Sequence, residues 1–386
     1  MKEKFDFDTL TQRRGSGSYK WDSDTDDDMI PLWVADMDFK TAPAVREALR
    51  RRVEEGIFGY VKVAESYYFS LRRWFRLRHG WTFLRKQVIY TSGVVPAISA
   101  IIKALTAEGD GVVVQTPAYN CFFSSVRNNG CRVVENPLKR IETPSGFTYE
   151  MDFEDLKQKI CCEKPKLLIL CNPHNPSGRV WRQDELECLR RICREGGVRI
   201  ISDEIHCELT HPGFSYIPYM TVDPDTIACC SPSKAFNTAG LQIANIICRD
   251  EETRRLIDRA ININEVCDVN PFGVVALQAA YDDGEEWLAA LNEYLYENYL
   301  FLRETLSRRL PRLRICDSES TYLSWIDISP LGLSGREVEE RARRLAKVWV
   351  NEGDMYGGKD FIRINYACPR GRLAEGLDRF CRAFES

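Results

Sequence analysis

A lysine flanked by small hydroxyl residues sits in Ser231-Pro232-Ser233-Lys234-Ala235-Phe236-Asn237, directly after an apolar run over residues 226–230 that reads as a buried strand. A primary amine at such a strand end can form a Schiff base with an aldehyde cofactor, while serine hydroxyls hydrogen-bond a phosphate. A solvated lysine in a turn has the same local pattern. Two further segments place polar groups after strands. Residues 167–171 lead into Asn172-Pro173-His174-Asn175-Pro176-Ser177-Gly178, and residues 198–201 lead into Ser202-Asp203-Glu204-Ile205-His206. Asn175 can hydrogen-bond a ligand oxygen, although Asn-Pro-Ser-Gly is equally a tight turn. Asp203 can face a cation or cap a helix. Thr91-Ser92-Gly93-Val94-Val95 turns from a strand into a helix, and free N–H groups near Gly93 and Val94 suit an anion such as phosphate; a plain strand-to-helix turn looks the same.

The elements that must position these groups follow from the hydrophobic pattern. Helical spacing predicts helices over 44–55, 66–78, 96–107, 152–162, 251–263 and 285–310. Strands are expected at 88–90, 111–115, 131–135, 167–171, 198–203 and 226–230. Their apolar runs lack strict alternation, which implies strands buried on both faces and a largely parallel sheet. Asn175, Asp203, Ser231 and Lys234 all follow strand ends, and open α/β sheets bind ligands beyond the carboxyl ends of their strands. Beyond the long helix, short strands and helices alternate as a small lobe. The expected fold is α/β: a mainly parallel large-domain sheet flanked by helices, plus a smaller α+β domain. Its parts are an N-terminal arm (1–45) belonging partly to the small domain, a large domain (46–285) and a C-terminal small domain (286–386).

Composition narrows the function classes. The 386 residues are 44% hydrophobic and 28% charged, ordinary for a globular protein. A net charge of −4, from 53 basic and 57 acidic residues, gives no electrostatic reason to expect nucleic acid or an anionic membrane as partner. No run of about 20 apolar residues predicts a membrane span. The N-terminal Met1-Lys2-Glu3-Lys4-Phe5-Asp6 lacks the apolar core of a signal peptide. The 15 cysteines fall largely in apolar runs with no Cys-x-x-Cys pair, so reduced thiols in the cytoplasm are expected. His206 with His211 lacks the further ligands of a metal site.

In order and spacing, the segments around Asn175, Asp203 and Lys234 resemble pyridoxal 5′-phosphate (PLP) enzymes of the aspartate-aminotransferase fold, fold type I. More narrowly, Pro31-Leu32-Trp33-Val34-Ala35-Asp36-Met37-Asp38-Phe39 and the KAFNTAGLQ segment from Lys234 to Gln242 resemble the MalY/PatB group of cystathionine β-lyases (C–S lyases), and the likeness runs from about Phe5 to the end. The resemblance implies PLP bound to Lys234, with Asp203 against the protonated pyridine nitrogen and Asn175 on the ring oxygen. It implies the Tyr119 ring stacked on the pyridine, and His206 near the phenolic oxygen or behind Asp203. Phosphate would be held by Ser231, Ser233 and the backbone at Gly93 and Val94, with Tyr60 reaching across from a second subunit of a homodimer. Arg363 would bind the substrate α-carboxylate beside the backbone of Ala35, because a guanidinium fork donates two parallel hydrogen bonds; on spacing alone it reads as an exposed strand arginine. Gln242 stands where many fold relatives carry a phosphate-binding arginine, so Tyr60 of the partner subunit gains weight. The implied activity is α,β-elimination of cystathionine or related L-cysteine S-conjugates to thiol, pyruvate and ammonia, with Lys234 as general base. A PLP-dependent aminotransferase and a PLP-binding regulatory protein are the alternatives.

Overall fold

The computed structural model of the protein describes residues 4–265 and 268–385, so Met1, Lys2 and Glu3 of the expected arm, Val266, Cys267 and Ser386 lie outside the described residues. Runs such as Leu-Leu-Ile-Leu-Cys and Ile-Ala-Cys-Cys have no polar face to show to water. They form a sheet covered on both sides. Val88–Thr91 (β1), Gly111–Val114 (β2), Arg132–Glu135 (β3), Leu167–Cys171 (β4), Arg199–Asp203 (β5), Ile227–Cys230 (β6) and Ala244–Ile247 (β7) lie in the order β1-β7-β6-β5-β4-β2-β3. Strands β3, β2, β4, β5 and β6 are mutually parallel. Strand β7 is antiparallel to both β6 and β1, which leaves β1 pointing the same way as the parallel set. The sheet is thus mainly parallel with one reversed strand.

Alternate residues along each strand feed different layers. Val112, Val114, Ile169 and Ile201 pack with Val94, Ile98 and Ile101 of helix Val94–Leu105 and Phe122 of helix Asn120–Asn128. Val113, Leu168 and Leu170 face the other way, onto Leu156 and Ile160 of helix Phe153–Glu163 and Leu186 and Leu189 of helix Gln183–Glu195. Asp152 caps the first of those two: its carboxylate accepts from the N–H groups of Glu154 and Asp155. The Asp155 carboxylate accepts from Asn136 Nδ2 at 2.9 Å.

The 25-residue helix Glu285–Arg309 leads from this sheet to a second, antiparallel one. Arg314–Ile315 (β8), Leu323–Asp327 (β9), Asn351–Glu352 (β10) and Phe361–Asn365 (β11) lie in the order β8-β9-β11-β10. Ile30–Pro31 of the arm pairs in parallel with Val348–Trp349, and Trp33 stacks on Trp349 with ring centroids 4.1 Å apart. The hairpin Lys139–Thr143/Gly146–Glu150 was not foreseen, because its first strand is charged and exposed and lacks an apolar face. Among the described residues no helix is long and apolar enough to cross a membrane, and the described cysteines are free and mostly buried.

A buried ion cluster ties the arm down. The Lys20 ammonium, out of contact with water, lies 3.0 Å from Asp38 and 3.5 Å from Asp36. Arg13 and the Trp21 indole N–H also donate to Asp38, at 2.7 and 2.8 Å. Burial pushes the Asp38 pKa up, but Lys20, Trp21 and Arg13 outweigh it and hold the carboxyl below its ordinary value. A depressed carboxyl contributes stability above the ordinary carboxylate range, and that contribution is lost as pH falls through the depressed value. Asp38→Ala would leave Lys20 buried beside Asp36 alone. We expect a loss of about 3 kcal/mol, read from urea unfolding. Most of it should return in Asp38→Ala/Lys20→Met; equal stability of the wild type and the single variant at pH 7 would contradict the role of the cluster.

Candidate active site

The turns that follow the carboxyl ends of β1, β4, β5 and β6 open into one cavity of about 200 Å³. Lys234, Asp203, Asn175, His206, Tyr119 and Ser233 are on its wall, with Gly93 and Val94 at the start of helix Val94–Leu105 and Ala35 of the arm. That helix begins two residues earlier than its apolar spacing predicts, which makes Gly93 the N-cap. Its first intrahelical bond is Ala97 N–H to Gly93 C=O, so the N–H groups of Val94 and Val95 have no partner within the helix.

Lys234 is anchored by the turn in which Phe236 N–H bonds Pro232 C=O and Thr238 N–H bonds Ser233 C=O. Its Nζ donates to the Ala35 carbonyl at 2.6 Å. Removal from water, reinforced by the nearby Arg363 cation and only partly offset by Asp36 and Asp203, brings its pKa down to about 8. Asp203 shows the complementary effect. Burial pushes its carboxyl up to about 7, against the pull of an Ile205 N–H bond and of Lys234. The Asp203 carboxylate accepts that N–H at 3.1 Å and forms no ion pair among the described residues.

Arg363 lies in the middle of β11 and is only 3% exposed, which rules out the exposed strand arginine. It donates to Asn175 Oδ1 at 3.3 Å and to the Trp33 carbonyl at 3.1 Å, and its guanidinium covers the Tyr356 ring at 4.5 Å. No carboxylate pairs with it among the described residues, and its Nε is buried without a hydrogen-bond partner. A buried guanidinium with no counter-charge is costly unless an anion joins it. His206 is buried with Nδ1 unpartnered. Burial first, then the Lys234 and Arg363 charges, hold its pKa well below the ordinary histidine value, so it is neutral at neutral pH. Tyr119 precedes helix Asn120–Asn128, and burial raises its phenol pKa far above the usual value.

Three of the expected residues are not on this wall: Arg363, which touches it only through Asn175, and Ser231 and Tyr60. Ser231 is buried in the turn, where its hydroxyl donates to Ile243 C=O at 2.7 Å and accepts from Ser233 N–H at 3.1 Å. Closing the turn uses the hydroxyl, so Ser233 rather than Ser231 faces the cavity. Tyr60 is 97% exposed and away from the cavity of its own chain. Gln242 does line the cavity, in a left-handed conformation with φ of 51°. Sequence reasoning missed Asn237, whose side chain accepts from Met37 N–H at 3.0 Å and donates to the carbonyls of Met37 and Phe39 at 2.9 and 3.0 Å. Its position beside Lys234 was the available signal. Tyr322, whose hydroxyl also reaches Ala35 C=O, had none, because Thr-Tyr-Leu-Ser-Trp-Ile reads as an ordinary strand.

The sequence model of aminotransferase class I and II matches residues 27–380. The chain belongs to that family. Cystathionine beta-lyase PatB of Bacillus subtilis (strain 168) is 38% identical over 383 residues, covering 97% of this chain and 98% of the relative. Protein MalY of Escherichia coli (strain K12) is 32% identical over 384 residues, with 97% of each chain covered. The crystal structure of the PLP-bound C-S lyase from Staphylococcus hominis superposes with a TM-score of 0.91 at 35% identity, covering 98% of this chain and 99% of that one. The fold is that of the aspartate-aminotransferase-like, fold type I proteins.

The electrostatics of Lys234 are testable without any ligand. Competitive acetylation of the cofactor-free protein with acetic anhydride across a pH series should give Lys234 a midpoint of about 8, while surface lysines react as ordinary amines. A midpoint at the ordinary value of 10.5 would contradict the proximity of Arg363 and the loss of solvent.

Proposed function

We propose that the protein is a PLP-dependent C–S β-lyase that converts L-cystathionine or a related S-substituted L-cysteine, with one water, to a thiol, pyruvate and ammonia. The observation that carries this reading is an amine and a carboxylate on one cavity, with a guanidinium bonded to Asn175 of its wall, the carboxylate lacking a cation and the guanidinium an anion among the described residues. The names of its relatives, a cystathionine beta-lyase and a C-S lyase, support the reaction class.

The residues fit PLP. Lys234 offers a primary amine whose lowered proton affinity leaves it reactive toward an aldehyde. Asp203 is a buried carboxylate for which a protonated ring nitrogen would be the missing counter-charge. Asn175 and neutral His206 suit the ring oxygen, and Tyr119 supplies an aromatic face. Ser233 and the unpaired N–H groups of Val94 and Val95 form an anion-binding end, helped by the helix dipole. When bound, PLP draws electrons from the substrate α-carbon.

The remaining work belongs to the chain. Arg363 binds the α-carboxylate, with the Ala35 backbone beside it, and so fixes which bonds of Cα face Lys234. Lys234 Nζ, neutral near its lowered pKa, takes the Cα proton. The sulfur leaves from Cβ as the thiol. Closure of the cavity by the arm limits water, which strengthens each of these charge interactions.

We also read the working form as a cytoplasmic homodimer. Ile57 and Phe58 stand 75% and 56% exposed beside Tyr60, an apolar stretch that favours burial against another surface. Tyr60 of the partner subunit would then complete the phosphate end.

Incubation of the purified protein with L-cystathionine should release pyruvate, and Lys234→Ala should release none. Amino transfer to a keto acid without pyruvate would show an aminotransferase instead. Arg363→Lys keeps the charge but loses the fork; kcat/KM should fall about 10- to 100-fold, mainly through KM. An unchanged KM would remove Arg363 from carboxylate binding.

A further inference from the structure

The Ala35 carbonyl oxygen accepts two hydrogen bonds at once, from Lys234 Nζ at 2.6 Å and from the Tyr322 hydroxyl at 3.0 Å. A carbonyl oxygen has two lone pairs, so both are engaged. The three residues come from three parts of the chain: Lys234 follows β6, Ala35 lies in the arm, and Tyr322 immediately precedes β9. Tyr322 is fully buried, and its ring stands edge-on to His206 with centroids 6.3 Å apart. The residue before it, Thr321, has φ of +71°. That is a left-handed conformation in which a β-branched side chain is an outlier. Its surroundings hold it there: Thr321 N–H donates to Leu209 C=O at 2.7 Å, and Thr321 C=O accepts from the Tyr366 hydroxyl at 3.2 Å. Strained backbone persists only where neighbours over-determine it, and it clusters at functional sites.

We propose that Tyr322 is a positioning residue for Lys234: by occupying one lone pair of Ala35 O, its hydroxyl fixes that carbonyl as the resting acceptor for the free amine. The proposal rests on the reading of Lys234 as the cofactor-bonding and proton-transferring residue, and adds the group that holds it. A carbonyl already accepting one O–H is a poorer acceptor for an ammonium group. The neutral amine is thereby favoured, with one N–H on Ala35 O and its lone pair free to point elsewhere. The other groups facing the amine are Arg363 of β11, which opposes its charge, Asp36 of the arm and Asp203 of β5, which favour it, and Cys121 of helix Asn120–Asn128. The Lys234 charge in turn disfavours a charged His206. Asp36, Arg363 and Tyr119 face the Tyr322 phenol. Replacing Tyr322 by Phe removes one hydroxyl and leaves all of these in place.

The test is competitive acetylation of the cofactor-free full chain, wild type against Tyr322→Phe. The Lys234 midpoint should rise by about half a pH unit or more. The acidic limb of the kcat profile of the PLP-loaded enzyme, where bound substrate has freed the Lys234 amine, should move the same way. A merely structural tyrosine would lower the melting temperature and leave the midpoint in place. Tyr322→3-fluorotyrosine strengthens the donor while keeping its shape, so its midpoint should fall, and this variant decides the matter if the Phe variant does not fold. A midpoint equal to wild type in the folded variants overturns the proposal. A moved midpoint in a protein that makes no pyruvate from any S-substituted cysteine would leave this inference standing and remove the lyase reading. Pyruvate production with an unmoved midpoint would do the reverse.

Discussion

The carbonyl groups of residues 33–39 need hydrogen-bond partners, and side chains from the rest of the molecule supply them. Buried backbone acceptors cannot be left unpaired, and this segment of the arm has no full β-ladder to pair with. Asn351 and Arg363 hold the Trp33 carbonyl; Asn365 reaches both Val34 and Asp36. Lys234 and Tyr322 share Ala35, and Asn237 takes Met37 and Phe39. Asn237 and Lys234 belong to the turn after the large sheet, whereas Asn351, Arg363, Asn365 and Tyr322 belong to or adjoin the small one. The arm is therefore a strap whose position is defined from both sides. A displacement of either sheet moves the carbonyl that holds the Lys234 amine.

A second constraint is charge balance. Elsewhere the chain pairs several of its buried charges, as with Arg179 on Glu185 and Glu319, or Arg78 and His79 on Glu208, while buried Glu204 accepts from Ser202, Tyr216 and the Tyr219 N–H instead. At the cavity it does not. Among the described residues Arg363 lacks a carboxylate and Asp203 lacks a cation, so burial, the main cause of the perturbed values of Asp203 and Lys234, is only partly offset. A ligand that brings a carboxylate to one and a protonated nitrogen to the other satisfies both. An amino acid and PLP together have that composition, which is what the proposed roles of Asp203 and Arg363 rest on.

How far the sequence discloses this differs from residue to residue. Asp203, Asn175 and Lys234 were legible because each follows an apolar run, and a run buried on both faces implies a strand whose carboxyl end faces the site. Arg363 needed the family resemblance, since burial of its strand depends on packing that local spacing does not report. Ser231 and Ser233 look interchangeable in sequence, and only the turn geometry commits one hydroxyl to the backbone. Asn237 and Tyr322 act through the arm, 200 and 287 residues away along the chain. No local pattern carries that information. The reversed strand β7 escaped for a related reason: Ala-Asn-Ile-Ile is apolar and short, and its direction is set by the connection rather than by its composition.

The most direct test is a crystal structure of the protein with PLP and an unreactive amino acid bound. The account predicts Asp203 at the ring nitrogen, Arg363 clasping the amino-acid carboxylate, and the freed Lys234 amine back within hydrogen-bond distance of Ala35 O. A cofactor seated elsewhere, or Arg363 still bonded only to Asn175 and Trp33 with the carboxylate held by other groups, would contradict it.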